Sequence, residues 1–142
     1  MSGPTKTLQE IFDFGLNHIR QQGMACVDAD KGGTCAYRNA AGQSCIVGGF
    51  FTAETYDPEF DQSDSGVTSV AQLVERCDAF NLALDEVGVD TEDSKVVNLL
   101  RGMQECHDGC ASTFGDEFRQ AFAVGMQRLA DKLGLKYKPP SQ

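Results

Sequence analysis

One short stretch of the chain places sulfur, imidazole and carboxylate side chains next to one another. This stretch is Cys106-His107-Asp108-Gly109-Cys110. Thiolate and imidazole groups are preferred zinc ligands, and a structural zinc site takes four of them. The spacing lacks the Cys-x2-Cys pairs typical of such sites. A zinc-stabilised structural module is therefore kept as an alternative, with a candidate ligand set of Cys35, Cys45, Cys106 and Cys110.

The same residues offer a second chemistry, in which a cysteine thiolate acts as the nucleophile. Such a cysteine needs a base within hydrogen-bond reach and a group that orients the base. In a small thiol-dependent enzyme, Cys45 or Cys35 would be the nucleophile, His107 the base and Asp108 the orienting carboxylate. The Gly-Gly pair three residues after Cys45 would supply backbone amides to an oxyanion. Nothing in the sequence makes these groups converge, so thiol catalysis is an alternative only.

The remaining sequence carries no complete catalytic signature. It contains neither a phosphate-binding glycine loop nor a G-x-S-x-G nucleophile elbow. We therefore expect no cofactor and favour a protein that is not an enzyme, in which the cysteines are small packing residues.

The densest motif predicts a β-hairpin. It reads Cys35-Ala-Tyr-Arg-Asn-Ala-Ala-Gly-Gln-Ser-Cys45 and continues to Gly48. A three-residue loop with Gly42 in the left-handed conformation pairs Asn39 with Gln43, whereas a four-residue loop places the two cysteines on opposite faces. In the first register, strand alternation gives the hairpin one apolar face, formed by Cys35, Tyr37, Cys45 and Val47.

Apolar residues recur at helical spacing in four segments. These segments cover residues 7–23, residues 69–88 with a break near Asp78, residues from 91–94 onward, and residues 113–134. Capping-box patterns open the first two, and Gly134 ends the last. The sequence thus predicts a single α+β domain over residues 1–135, mostly helical, with one β-hairpin packed on about four helices. A loose C-terminal tail follows at residues 136–142.

The net charge of the chain limits the classes of partner that it can bind. Twenty-one acidic residues against twelve basic ones give a formal charge of −9, which repels nucleic-acid phosphates and anionic membranes. No N-terminal apolar segment and no run of about 20 apolar residues is present. We therefore expect a cytoplasmic protein, without direct nucleic-acid or membrane binding, whose thiols stay reduced.

Two surfaces are the predicted partner-binding sites. One is the exposed acidic loop of residues 57–65, which contains Asp57, Glu59, Asp61 and Asp64. The other is the tip of the predicted hairpin, formed by Arg38, Asn39 and Gln43. A phenylalanine-rich stripe on the last helix also leaves a homo-oligomer open.

Five short motifs are spread over most of the chain. They are Leu8-Gln-Glu-Ile-Phe12, Cys-x-Tyr-Arg at residues 35–38, Cys-x-Val-Gly at 45–48, Tyr-Asp-Pro-Glu at 56–59, and Met103-Gln-Glu-Cys-His-Asp108. Together they resemble a family of small phage and bacterial proteins of no assigned activity. The last motif has Met where the family has Leu, and the chain lacks the Trp that the family often carries in its later helix. The resemblance implies a shared fold and a phage or mobile-element setting, and it transfers no catalytic residue.

These observations favour one function. We expect a noncatalytic acidic protein-binding factor, a phage or mobile-element accessory protein that binds and modulates a host protein in the bacterial cytoplasm. A nucleic-acid mimic is one form of this function, because an acidic surface competes with nucleic acid for a basic protein.

Overall fold

The computed structural model describes residues 5–28, 34, 35, 37–39, 41–52, 54–56, 60, 70–110 and 112–139. Within this part, five α-helices follow one another along the chain: α1 (Leu8–Gln22), α2 (Val70–Arg76), α3 (Asp78–Glu86), α4 (Ser94–Gly109) and α5 (Gly115–Leu133). A 3₁₀ turn covers Gly48–Phe50. Two strands of two residues each, β1 (Val27–Asp28) and β2 (Thr34–Cys35), pair in an antiparallel manner.

Local capping interactions set the ends of α1 and the C-terminal end of α5. Thr7 and Glu10 form the predicted capping box, in which each side chain accepts a hydrogen bond from the other residue's backbone N–H. Gly23 and Gly134 end the two helices in the left-handed conformation, at φ 76° and 73°. A residue with a Cβ is strained there, which explains why glycine follows each last turn.

The predicted break in the second helical segment separates α2 from α3. Cys77 is extended, with φ −124° and ψ 98°, and interrupts the helix at this point. The interruption leaves carbonyl groups at the end of α2 without their usual backbone N–H donors. Asn81 compensates, because its side-chain amide donates to the carbonyl of Val74 over 2.8 Å.

The predicted α+β class with a packed hairpin is wrong, because the described part of the chain is mostly helical and contains no β-hairpin that packs on the helices. Its β structure amounts to the two-residue pair of β1 and β2 and to one isolated bridge, Arg38 to Ser44. The turn between those bridge residues has the expected register, with Gly42 at φ 82° and the Asn39 N–H donating to the Gln43 carbonyl. In the described residues 45–52, however, no strand follows the bridge.

The chain coils back after Cys45 because Gly48 packs directly on Tyr37. A Cβ at Gly48 would lie 2.0 Å from the Tyr37 carbonyl oxygen. Strand alternation fails in consequence, because the consecutive residues Ile46 and Val47 are both buried, together with Tyr37. Residues 37–39 and 41–51 therefore form an irregular segment that fills the core without a sheet.

The core joins this irregular segment to the helices. Tyr37, Phe51 and Phe60 surround Phe80 of α3, with ring centroids 5.3–5.8 Å from that of Phe80. All four rings are almost completely buried. The other side of the core comes from apolar stripes on α1, α4 and α5, which include Leu16, Leu100, Met103, Phe122 and Met126.

The start of the predicted loose tail packs on α1. The Gln9 side chain and the Lys136 backbone exchange two hydrogen bonds of 2.9 Å. Arg20 donates to the Tyr137 hydroxyl over 2.8 Å, and its guanidinium lies 5.2 Å from the centroid of that ring. Among the described helices, none combines the length and the apolar composition needed to cross a membrane.

Replacing Tyr37 with Ala tests the burial of the irregular segment. The side chain is 4% exposed and its ring meets Phe80 edge-on, so we expect Tyr37→Ala to lower the free energy of unfolding by about 3–5 kcal/mol. Phe114→Ala is the matched control, because Phe114 is 72% exposed and its loss should change stability by less than about 0.5 kcal/mol. Urea titration measures both; equal small effects would place Tyr37 in solvent.

Candidate functional site

His107, the base of the thiol-enzyme alternative, is completely buried on α4. Its Nε2 lies 2.9 Å from the backbone nitrogen of Cys26 and accepts that N–H. Its Nδ1 lies 2.9 Å from a carboxylate oxygen of Asp108 and donates to it. The ring is therefore oriented by Asp108, as a catalytic histidine would be. The lone pair that a general base uses, however, is already engaged by a backbone donor.

The predicted oxyanion-hole donors are also engaged locally. The Gly48 N–H donates to the Cys45 sulfur over 3.2 Å, and the Gly49 N–H donates to the Cys45 carbonyl over 2.9 Å. Cys45 itself is completely buried. Both amides thus close the turn after Cys45 and do not converge on an open position in front of its thiol.

The two cysteines at the end of α4 are poor nucleophiles. Burial, together with the neighbouring Cys110 and Glu105, raises the pKa of the Cys106 thiol to about 11. Burial also raises the pKa of the Cys110 thiol. At pH 7 a pKa of about 11 leaves roughly one thiol in ten thousand as the reactive thiolate.

The candidate zinc ligands are only partly placed by the structure. Cys106 and Cys110 lie one turn apart at the end of α4, and Cys45 lies in the irregular segment. The side chain of Cys35 lies outside the described residues. Among the residues that are described, no group of three or more His, Cys, Asp or Glu side chains is arranged to hold a metal ion.

A polar cluster that the sequence reasoning missed joins α1 to the irregular segment. His18 Nε2 lies 2.8 Å from the Ser44 hydroxyl and 3.1 Å from the Ser44 carbonyl. The Ser44 N–H donates to the Gln22 side chain over 2.9 Å. A carbonyl only accepts, so Nε2 carries the proton and cannot withdraw one from the Ser44 hydroxyl. The i, i+4 spacing of His18 and Gln22 was the available signal for a shared helix face.

The predicted partner-binding residues of the hairpin tip stabilise the turn. The guanidinium of Arg38 lies 5.1 Å from the centroid of the Tyr56 ring and donates to the Phe51 carbonyl. Asn39 accepts from the backbone N–H of Gln43 over 3.0 Å and donates to its side chain over 2.8 Å. The acidic loop residues Asp57, Glu59, Asp61 and Asp64 lie outside the described residues. Partner binding by both sets stays a prediction.

A different acidic surface, here called the acidic groove, is formed by α3 and the connection to α4. It has a volume of about 520 Å³ and is lined by Asp78, Asn81, Leu82, Asp85, Asp90, Thr91 and Glu92. Leu82 is 64% exposed. No ion pair within the described residues involves the four carboxylates. The spacing of Asp78, Leu82 and Asp85 at i, i+4 and i+7 was the sequence signal for this face.

Comparison of the chain with protein-family models, with curated protein sequences and with solved structures gives no match. The resemblance to small phage and bacterial proteins therefore stays a prediction.

The pH dependence of stability tests the His18 contact. Burial lowers the pKa of His18 from its ordinary 6.5, with nearby His107 and Arg38 acting in the same direction and the backbone hydrogen bonds of Ser44 and Cys45 opposing it. A lowered folded-state pKa gives stability that is complete above pH 6.5 and is lost as the pH falls through the folded-state value. The free energy of unfolding of wild type should therefore fall more steeply below pH 6.5 than that of His18→Gln.

His18→Gln retains a side-chain amide donor for Ser44 and removes the titration, so the comparison isolates protonation from the loss of a contact. Urea titrations at several pH values between about 7 and 5 measure both curves. Parallel curves would contradict the burial of the imidazole.

Proposed function

We propose that the protein is a noncatalytic binding domain that recognises a basic surface of a partner protein through the acidic groove. The observation that carries the proposal is the exposed Leu82 side chain, which lines the same groove as four carboxylates without an ion-pair partner in the described part of the chain. An apolar contact bordered by charged groups is the usual composition of a protein interface.

The two kinds of side chain would have separate roles in binding. Burying a leucine side chain against a partner contributes about 1.5–3 kcal/mol. The carboxylates of Asp78, Asp85, Asp90 and Glu92 would attract a Lys- or Arg-rich surface and set its orientation, with a dependence on ionic strength.

The interior of the protein supports binding over catalysis. The lone pair of His107 and the amides of Gly48 and Gly49 are all engaged in holding the fold. A catalytic site requires such groups to be preorganised around a position that a substrate can occupy. The charges that remain free for recognition lie on the surface.

The resemblance to phage and bacterial proteins favours a host protein as the partner. Occupation of a basic surface would modulate that host protein directly. Where the surface normally holds nucleic acid, the acidic groove would act as a mimic of the phosphate backbone.

Charge neutralisation in the acidic groove tests the proposal. We expect the combined variant Asp78→Asn, Asp85→Asn, Asp90→Asn, Glu92→Gln to lose at least about tenfold in affinity for a partner captured from bacterial lysate, because each ion pair at an interface adds to attraction and orientation. Leu82→Ser should weaken the same complex at both low and moderate salt. Quantitative capture followed by titration of the identified partner measures these effects.

A matched control removes four exposed charges elsewhere, through Glu54→Gln, Glu75→Gln, Glu105→Gln and Asp131→Asn. This control variant has the same net charge as the groove variant, and its affinity for the partner should remain within about twofold of that of wild type. Equal weakening by the two combined variants, or retention of full affinity by the groove variant, would contradict the proposal.

A further inference from the structure

A second groove, here called the basic groove, lies between α4 and α5 and shares no residue with the acidic groove. Its volume is about 630 Å³, which falls in the range of about 300–1,000 Å³ typical of small-molecule sites. The two helices approach closely here because Gly102 has no side chain. A Cβ at Gly102 would lie 2.6 Å from a methyl carbon of Leu129.

Positive charge is concentrated in this groove although the chain as a whole is acidic. Arg101 of α4 and Arg128 and Lys132 of α5 all line it, and they are three of the twelve basic residues of the chain. All three are exposed. Within the described part of the protein, the side chains of these three residues form no hydrogen bond or ion pair. Glu105 is the one carboxylate in the lining.

The rest of the lining combines apolar and polar groups. Leu129, Leu133 and the thiol of Cys106 give apolar surface, and the amide of Asn98 gives a hydrogen-bond donor and acceptor. An anionic group between the two helices would thus have an apolar neighbour against which an attached organic moiety could pack.

We propose that the basic groove binds a small phosphorylated molecule. Three cations and one carboxylate leave two local positive charges, and a phosphate group carries about −1.5 to −2 at pH 7. A single carboxylate would neutralise only half of that excess. Guanidinium groups bind phosphate oxygens in a bidentate manner, and Arg101 and Arg128 offer one guanidinium on each side of the groove. The net charge of −9 opposes a long polyanion such as a nucleic acid.

Calorimetric titration of the full chain with inorganic pyrophosphate and with adenosine 5′-diphosphate tests the proposal. We expect saturable binding of at least one probe at low salt, with amide chemical-shift changes confined to residues 98–106 and 125–133. Tighter binding of the nucleotide would indicate that the apolar lining contacts an organic moiety. Tighter binding of pyrophosphate would indicate that the site recognises the inorganic anion. Both outcomes support a phosphate-binding site.

The variants separate a built site from general electrostatic attraction. Arg128→Gln with Lys132→Gln should weaken binding by at least about tenfold, and Arg101→Gln, on the opposite helix, by a similar factor. The matched control, Arg76→Gln with Arg119→Gln, removes two exposed charges outside the groove and should change affinity by less than about twofold.

Three results would overturn the proposal. They are the absence of saturable binding of both probes at low salt, equal weakening by the control variant, and unchanged binding by Arg101→Gln. Far-ultraviolet circular dichroism verifies that each variant is folded.

Discussion

Irregular backbone inside a hydrophobic core must find hydrogen-bond partners, and in this protein the neighbouring helices supply them both for Cys26, just before β1, and for the irregular segment. The Cys26 N–H donates to His107 of α4, and the Ser44 N–H donates to Gln22 of α1. The Val47 N–H donates to Gln104 of α4 over 3.4 Å. Each such donor, left unpaired in the core, would cost about 1–3 kcal/mol. Side chains of α1 and α4 thus perform the role that a sheet would otherwise perform.

This arrangement explains why residues of catalytic type carry structure here. His107 is oriented by a carboxylate, yet its other ring nitrogen accepts the backbone N–H of Cys26. Cys45 lies three residues before two glycines, yet their amides donate to Cys45 itself and close the local turn. The proposed recognition is accordingly placed on the surface. This surface presents two grooves of opposite charge, one on α3 and its connection to α4 and one between α4 and α5.

Local patterns allowed the helices to be predicted, because their periodicity and end signals lie within a few residues of one another. The capping box at Thr7, the stop at Gly134 and the interruption beside Asp78 are all of this kind. The hairpin failed as a prediction because Gly48 packs on Tyr37, eleven positions earlier, and turns the chain away from a second strand. Contacts such as that of Cys26 with His107 join residues 81 positions apart, and no local sequence pattern predicts them. The basic groove likewise forms only where α4 packs on α5, so neither helix alone predicts it.

Amide hydrogen exchange tests the central claim most directly, because it reports the backbone donors of Cys26 and of the irregular segment one by one. If side chains of α1 and α4 bind these donors, the amides of Cys26 and Ser44 should exchange as slowly as amides in the interior of α4. Replacing Gln22 with Ala should then speed exchange at Ser44 while leaving the amides of α5 unchanged. Exchange of the Cys26 and Ser44 amides in wild type at the rate of an unstructured peptide would contradict the account.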